Sequence, residues 1–172
     1  IIKSGFNIGL HPSYLTSEDY KYLLEEKEII KSILKENHIN ELSFSRQHYL
    51  RFDIRDHWKS FEKSEIGHEY SLGFADLFGF RSGTSRPYYP FEIFERKKMN
   101  FQVHPLLIMD TTLYKYKNYK TNEILDLNYR YSKLVKKYKG ELILLWHNTE
   151  LMTRNRKRLY INILKKISDD SI

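Results

Sequence analysis

Short apolar runs that end abruptly in polar, chemistry-bearing residues recur along this chain, and they constrain its fold more than any other feature. Ile8-Gly9-Leu10 leads into His11-Pro12-Ser13-Tyr14. Residues 41–44 lead into Ser45-Arg46-Gln47-His48-Tyr49-Leu50-Arg51-Phe52, and Leu144-Leu145-Trp146 leads into His147-Asn148. Apolar runs this short, bounded by turn formers, read as buried strands. Between the first two, Tyr20, Leu23, Leu24, Ile30, Ile33 and Leu34 recur at helical spacing to about Glu36. Thr16 or Ser17 is placed to cap that helix, with Glu18 and Asp19 in its first turn.

The rest of the chain keeps the alternation. Ile54, Trp58 and Phe61 give residues 53–63 a helical pattern, and strand-like runs follow at 67–70, 91–95 and 101–109, the last ending at Asp110. Gly73, Gly79 and Gly83 mark backbone that bends or comes close to something else. Residues 111–139 read as a long helical region with a break near Lys120-Thr121 and Gly140 as its stop. Residues 141–146 form the clearest buried strand, and Leu159, Ile163, Leu164 and Ile167 define a last helix over 154–167. Such an order predicts an α/β fold with mostly parallel strands joined by right-handed crossovers. Folds of this kind place their chemistry beyond the strand ends, so the three histidine-bearing ends are expected to line one site.

Composition narrows the class. At 172 residues, 41% hydrophobic and 15% aromatic, the chain has enough apolar material for the core of one domain. It holds no run of about 18 apolar residues, so no membrane span is expected. Without cysteine there are no disulfides, thiolate metal sites or cysteine nucleophiles, and the compartment stays open. The chain begins at Ile1 rather than Met, which reads as an excised or processed boundary. Its net charge of +7 is spread, with denser runs at 133–139 and 154–158. These read first as solvated helix faces and second as an affinity for acidic polymers.

No phosphate-binding glycine loop, Gly-x-Ser-x-Gly elbow or His-Glu-x-x-His is present. The candidates are therefore His11, Arg46, His48, Tyr49, Glu69, Arg81, Asp110 and His147, most of them at strand ends. His11 and His48 suit metal ligation or acid–base work, against the plainer role of satisfied structural histidines. Arg46 suits bidentate capture of a carboxylate. His147 emerges from the most apolar strand and is the best single candidate, with Asp110 close behind. Glu69 and Arg81 are the weakest, since each reads equally well as a surface charge. His38, His57, His68 and His104 read as structural or surface residues. Tyr14, Tyr49, Tyr88, Tyr89 and Trp146 form a potential platform for a sugar ring. Bases would stack in the same way, but no recognition helix, zinc site or aromatic RNA-binding signature supports a nucleic-acid partner.

Five stretches, in this order, resemble the C-terminal part of the polysaccharide deacetylase superfamily, carbohydrate esterase family four. They are Ile8 to Tyr14, Arg46 to Phe52, Tyr70 to Asp76, Gly79-Phe80-Arg81-Ser82-Gly83-Thr84, and Leu145-Trp146-His147-Asn148. The likeness is closest to a bacterial branch described only as polysaccharide-deacetylase-like. It implies a distorted (β/α) barrel that uses a divalent metal, most often zinc, to remove N- or O-acetyl groups from sugars. One Asp and two His hold the metal there, a second Asp is the base, and a late His is the acid. By this resemblance His11 is the first metal histidine. Arg46 to Tyr49 is the Arg-x-x-Tyr segment whose arginine orients the catalytic Asp, and His147 protonates the leaving group.

The departures shape the expectation. Leu15 stands where the second metal histidine belongs, with His48 as the substitute. The Asp-Asp motif of the first strand has no counterpart here. The expectation is a single deacetylase-like domain over 1–172 that lacks its first strands, a partial barrel of mostly parallel strands. Its expected partners are a glycan substrate and the missing N-terminal part of its own domain. Its metal site is expected to be weak or absent, and the fragment inactive by itself as an amide-bond hydrolase. The implied roles are catalytic for His147, Arg46 and Asp110, substrate-binding for Tyr14, Tyr49, Arg81 and Trp146, and metal-binding for His11 and His48. The alternative is a carbohydrate-binding or scaffolding domain that kept the fold and lost the chemistry.

Overall fold

Leu10 pairs with Ser45 in parallel, and that bridge begins the main sheet of a computed structural model that describes residues 4–17, 19–39, 41–51 and 53–168. Glu18, Phe52 and Ile1, each used in the sequence reading, lie outside those residues. In chain order the elements are α1 (Tyr20–Glu36), β1 (Phe44–Ser45), α2 (His57–Lys63), β2 (His68–Glu69), β3 (Phe91–Glu92), β4 (Lys97–Lys98), β5 (Gln102–Val103), β6 (Ile108–Met109), α3 (Thr121–Lys137), β7 (Leu144–Leu145) and α4 (Arg154–Ser168). They form two compact units, residues 1–72 with 87–104 and residues 73–86 with 105–172. The architecture is mixed α/β, with no closed barrel among the described residues. No described helix is long and apolar enough to cross a membrane.

In the first unit β1, β2 and β5 run parallel in that order, and a short antiparallel hairpin joins β3 to β4. Register places Leu10, Ser45, Glu69 and Val103 in one row, and all four are buried. In-register residues stand on the same side of a sheet, so this row faces the interior. Leu23 and Leu34 of α1, Trp58 and Phe61 of α2, and Phe101 complete the core, with the rings of Phe61 and Phe101 edge to face at 4.8 Å. In the second unit β6 and β7 pair in parallel, and Leu107, Ile108, Leu113, Ile124, Leu159 and Ile163 form a separate core.

Local chemistry explains where the elements begin and end. Asp19, not Thr16 or Ser17, caps α1 and accepts the Lys21 N–H at 2.9 Å. The two hydroxyls are spent one turn earlier, on the carbonyls of Ser13 and Tyr14. Asp53 likewise accepts the Arg55 N–H at 2.7 Å in a side-chain turn, so α2 starts at His57 rather than at 53. The run 101–109 divides into β5 and β6 across Pro105, which has no N–H for a ladder. The region 111–139 divides into a single π-helical turn (Thr112–Tyr116) and α3, with left-handed Asn118 between them. The helix stop also differs from expectation: Lys139 takes the left-handed conformation at φ 53°. Gly140 is there because a Cβ would lie 2.0 Å from Ser85 Oγ.

Phe61 is fully buried and touches α1, β5 and its flanks through one cluster. Phe61→Ala is therefore expected to cost about 3–5 kcal/mol in urea unfolding. A loss below about 1 kcal/mol would show that this cluster does not organise the first unit.

Candidate functional site

The first unit carries a histidine pair at the end of its parallel sheet. Leu10 N–H donates to the Phe44 carbonyl and Arg46 N–H donates to the Leu10 carbonyl, which brings His11 beside Arg46. His11 Nδ1 lies 2.7 Å from the Arg46 carbonyl oxygen. A carbonyl only accepts, so Nδ1 carries the proton and Nε2 keeps its lone pair. His48 Nδ1 lies 3.1 Å from that Nε2. The turn that presents His48 is strained: Tyr49 and Leu50 both adopt left-handed φ values, 57° and 53°. Each costs on the order of 1–2 kcal/mol for a residue with a side chain. The bonds Leu50 N–H to Gln47 and Arg51 N–H to His48 hold the turn closed. As a result Tyr49 is 75% exposed, edge-on to His48 at 4.5 Å and to Tyr14 at 6.1 Å. The Arg51 guanidinium sits 3.9 Å over the Tyr14 ring.

Next to the pair lies a buried polar layer that connects through hydrogen bonds. Thr16 Oγ1 lies 3.0 Å from Gln47 Oε1, Gln47 N–H donates to Ser71 Oγ, and Ser71 N–H donates to Glu69 Oε1. Ser45 Oγ, Gln47 Nε2 and Glu69 Oε2 have no partner among the described residues. Burial pushes the Glu69 carboxyl up to about 7, and the bonds from Ser71 and the charge of Arg46 only partly offset it. Arg46 is also desolvated, which lowers its pKa while Glu69 raises it, and its Nε donates to the Tyr70 carbonyl. The carboxyl that acts on Arg46 within this unit is thus Glu69. His68 and His104 form a second histidine contact, Nδ1 to Nε2 at 2.8 Å, with Tyr70 stacked on His104 at 4.4 Å.

The second unit holds an aspartate–histidine dyad. Asp110 follows β6 and is fully buried, and its Oδ1 accepts the Thr111 N–H. The His147 backbone N–H donates to Oδ2 at 2.5 Å, and His147 Nδ1 lies 2.7 Å from Oδ1. An ionised carboxylate only accepts, so Nδ1 carries the proton and Nε2 is left for chemistry. The His147 side chain is 44% exposed. Behind it Trp146 packs against Tyr160 at 5.0 Å and Tyr114 at 6.3 Å, and the Arg156 guanidinium lies 4.5 Å over Tyr114 while pairing with Glu150.

Of the residues singled out from sequence, the first unit brings together His11, His48, Arg46, Tyr14 and Tyr49. The second unit brings together Asp110 and His147. Trp146 packs into the second core, and Arg81 is exposed in the loop that precedes Gly83. Among the described residues no group of three or more His, Asp or Glu is placed to hold a metal ion. Comparisons with protein-family models, curated proteins and solved structures returned no match to this chain. Sequence reasoning undervalued Glu69 and missed Gln47 and Ser71 altogether. The alternation Ser45, Gln47 and Glu69, Ser71 was the available signal, since period two puts each pair on one face.

Glu69 makes a prediction about pH. Its folded pKa lies above the ordinary 4.5, so between about 4.5 and 7 the folded protein holds a proton that the unfolded chain has lost. That stability is complete below about 4.5 and disappears as pH rises through 7. Wild type should therefore lose on the order of 3 kcal/mol relative to Glu69→Gln across this window. Buried His57, lowered from 6.5 to about 4, works in the opposite sense over most of the same window but is common to both proteins. Urea midpoints from pH 4.5 to 8 measure the difference, and a constant offset would rule the buried acid out.

Proposed function

We propose that this chain is a partial (β/α) barrel of the polysaccharide deacetylase type, from a hydrolase that removes acyl groups from glycans. The observation that carries the reading is the Asp110–His147 dyad. Asp110 accepts two backbone N–H groups and the imidazole Nδ1–H, so it holds the ring in one tautomer with Nε2 outward. When Nε2 takes a proton, the buried carboxylate stabilises the imidazolium. As water adds to the acyl carbon and the C–N or C–O bond breaks, that proton passes to the departing nitrogen or oxygen, and the acyl group leaves as the carboxylic acid.

His11 and His48 are the residues that would hold a divalent ion in this reading. Two imidazole nitrogens 3.1 Å apart suit a borderline ion such as zinc. The His11 Nδ1–H bond to a backbone carbonyl is the usual way a ligating histidine is oriented. Such an ion, when bound, supplies Lewis-acid polarisation of the acyl carbonyl. Tyr49 and Tyr14 offer flat faces for the sugar ring. A second reading, a glycan-binding domain without chemistry, is favoured by exposed Leu15 at the position that the superfamily resemblance gives to a metal histidine.

Zinc titration by calorimetry separates the two. The hydrolase reading expects His11→Ala and His48→Ala each to weaken zinc at least about tenfold. It also expects His147→Ala to cut any zinc-dependent release of acetate from acetylated oligosaccharides by about 10²–10⁴. Wild-type protein that binds no zinc, yet loses oligosaccharide binding in Tyr49→Ala, would establish the binding domain instead.

A further inference from the structure

The glycine-bearing loop 73–86 and the C-terminal end of α3 enclose a cleft of about 510 Å³ within the second unit. Three ties build it. Gly83, at φ +73°, reverses the chain and donates its N–H to the Phe80 carbonyl at 2.9 Å. Glu141 N–H donates to the Ser85 carbonyl at 2.7 Å, where Gly140 lets the two segments touch. Arg86 Nε donates at 2.7 Å to the Tyr138 carbonyl, an acceptor at the end of α3 that has no partner within the helix. Its guanidinium is therefore brought to the cleft from 52 positions away in sequence.

The loop contributes Phe80, Thr84 and Arg86 to the lining, and α3 contributes Leu134, Val135, Tyr138 and Tyr131, whose ring is stacked on Phe78 at 5.7 Å. Tyr138 is 58% exposed, an open flat face rather than a core ring. The charge of the whole chain is concentrated in this unit. Residues 73–86 and 105–172 hold 16 Lys and Arg against 8 Asp and Glu, whereas residues 1–72 and 87–104 hold 13 against 14. Exposed Lys136, Lys137 and Lys139 stand at the α3 end, with Lys137 Nζ 5.5 Å from the Tyr138 ring. Lysines in a last turn also complement the helix dipole, but that does not account for Arg86, which comes from another segment.

We propose that this cleft binds one residue of an acidic glycan, a pyranose bearing a carboxylate or phosphate group. The apolar C–H face of the ring would stack on the open face of Tyr138, and the anion would meet Arg86 and Lys137. This inference rests on the glycan reading above and narrows it to acidic polymers. A concave cleft with hydroxyl and guanidinium donors on one wall suits a single substituted ring better than a strand of stacked bases.

Calorimetry on the full chain with oligogalacturonate, its neutral methyl ester and glucose 1-phosphate tests it. The acidic oligosaccharide should bind at least tenfold more tightly than the ester, and glucose 1-phosphate should compete if phosphate is accepted in place of carboxylate. Tyr138→Ala and Lys137→Glu, both at exposed positions, should each weaken binding at least tenfold and leave zinc affinity unchanged. Failure of zinc binding with these results intact would remove the hydrolase reading and leave the cleft standing. Equal affinity for acid and ester, no binding of either, or unaltered binding in both variants would overturn the proposal. So would an oligothymidylate that binds as tightly and responds to the same variants, since the surface would then be a general polyanion site.

Discussion

A strand of two residues contributes few ladder hydrogen bonds, so the parallel sheet of the first unit depends on what is buried against it. The row Leu10, Ser45, Glu69 and Val103 faces inward, and only two of its four members are apolar. The aromatic cluster around Phe61 and Phe101 supplies the missing burial, at roughly 2–3 kcal/mol for each fully buried ring. It does so from helices and loop flanks rather than from the strands themselves. That leaves the strand ends free to carry polar residues that a longer, fully apolar strand would have displaced.

The two buried carboxyls show how local donors decide the fate of a charge. Asp110 gathers two backbone N–H groups and an imidazole N–H, so its charge is matched by donors that folding has already placed. Glu69 gathers donors from Ser71 alone, and among the described residues its other oxygen has no partner. Desolvation then dominates, and the proton stays on close to neutrality. Both residues sit at or beside a parallel strand of the same kind. Each takes one N–H from the chain that follows it, Thr111 and Ser71; the difference lies across the sheet, where the end of β7 gives Asp110 the backbone N–H and the imidazole of His147.

The strained turn at Tyr49 and Leu50 follows the same logic from the backbone side. Two left-handed residues in succession persist only where the surroundings over-determine them. Here the bonds from Leu50 and Arg51 close the turn, Leu50 is buried, and Gln47 is tied to Ser71 and Thr16. The strain exposes Tyr49 and sets the His48 ring beside His11. A relaxed strand continuing through 49 would have carried His48 and Tyr49 to opposite faces.

The amino-acid sequence by itself determined the helices and the strand-end chemistry. Tyr20 to Leu34 and Leu159 to Ile167 repeat at helical spacing and form α1 and α4, but the buried stripe is narrower than that pattern: Leu23, Leu34, Leu159 and Ile163 are buried, whereas Leu24, Ile33 and Leu164 are exposed. The apolar runs into His11, His48 and His147, and the run into Asp110, likewise mark residues that leave a strand for a polar environment. Only the tertiary structure decided the partners. Periodicity carries no information on which carbonyl meets His11 Nδ1 or which imidazole meets Asp110, because those pairs are 35 and 37 residues apart. It also decided the ends of elements. Asp19 took the cap because Thr16 and Ser17 found nearer carbonyls, and Gly140 was needed for its missing Cβ against Ser85 rather than for a helix stop. A side chain's pattern is local, but its hydrogen-bond partner and its space are set by segments distant in the chain.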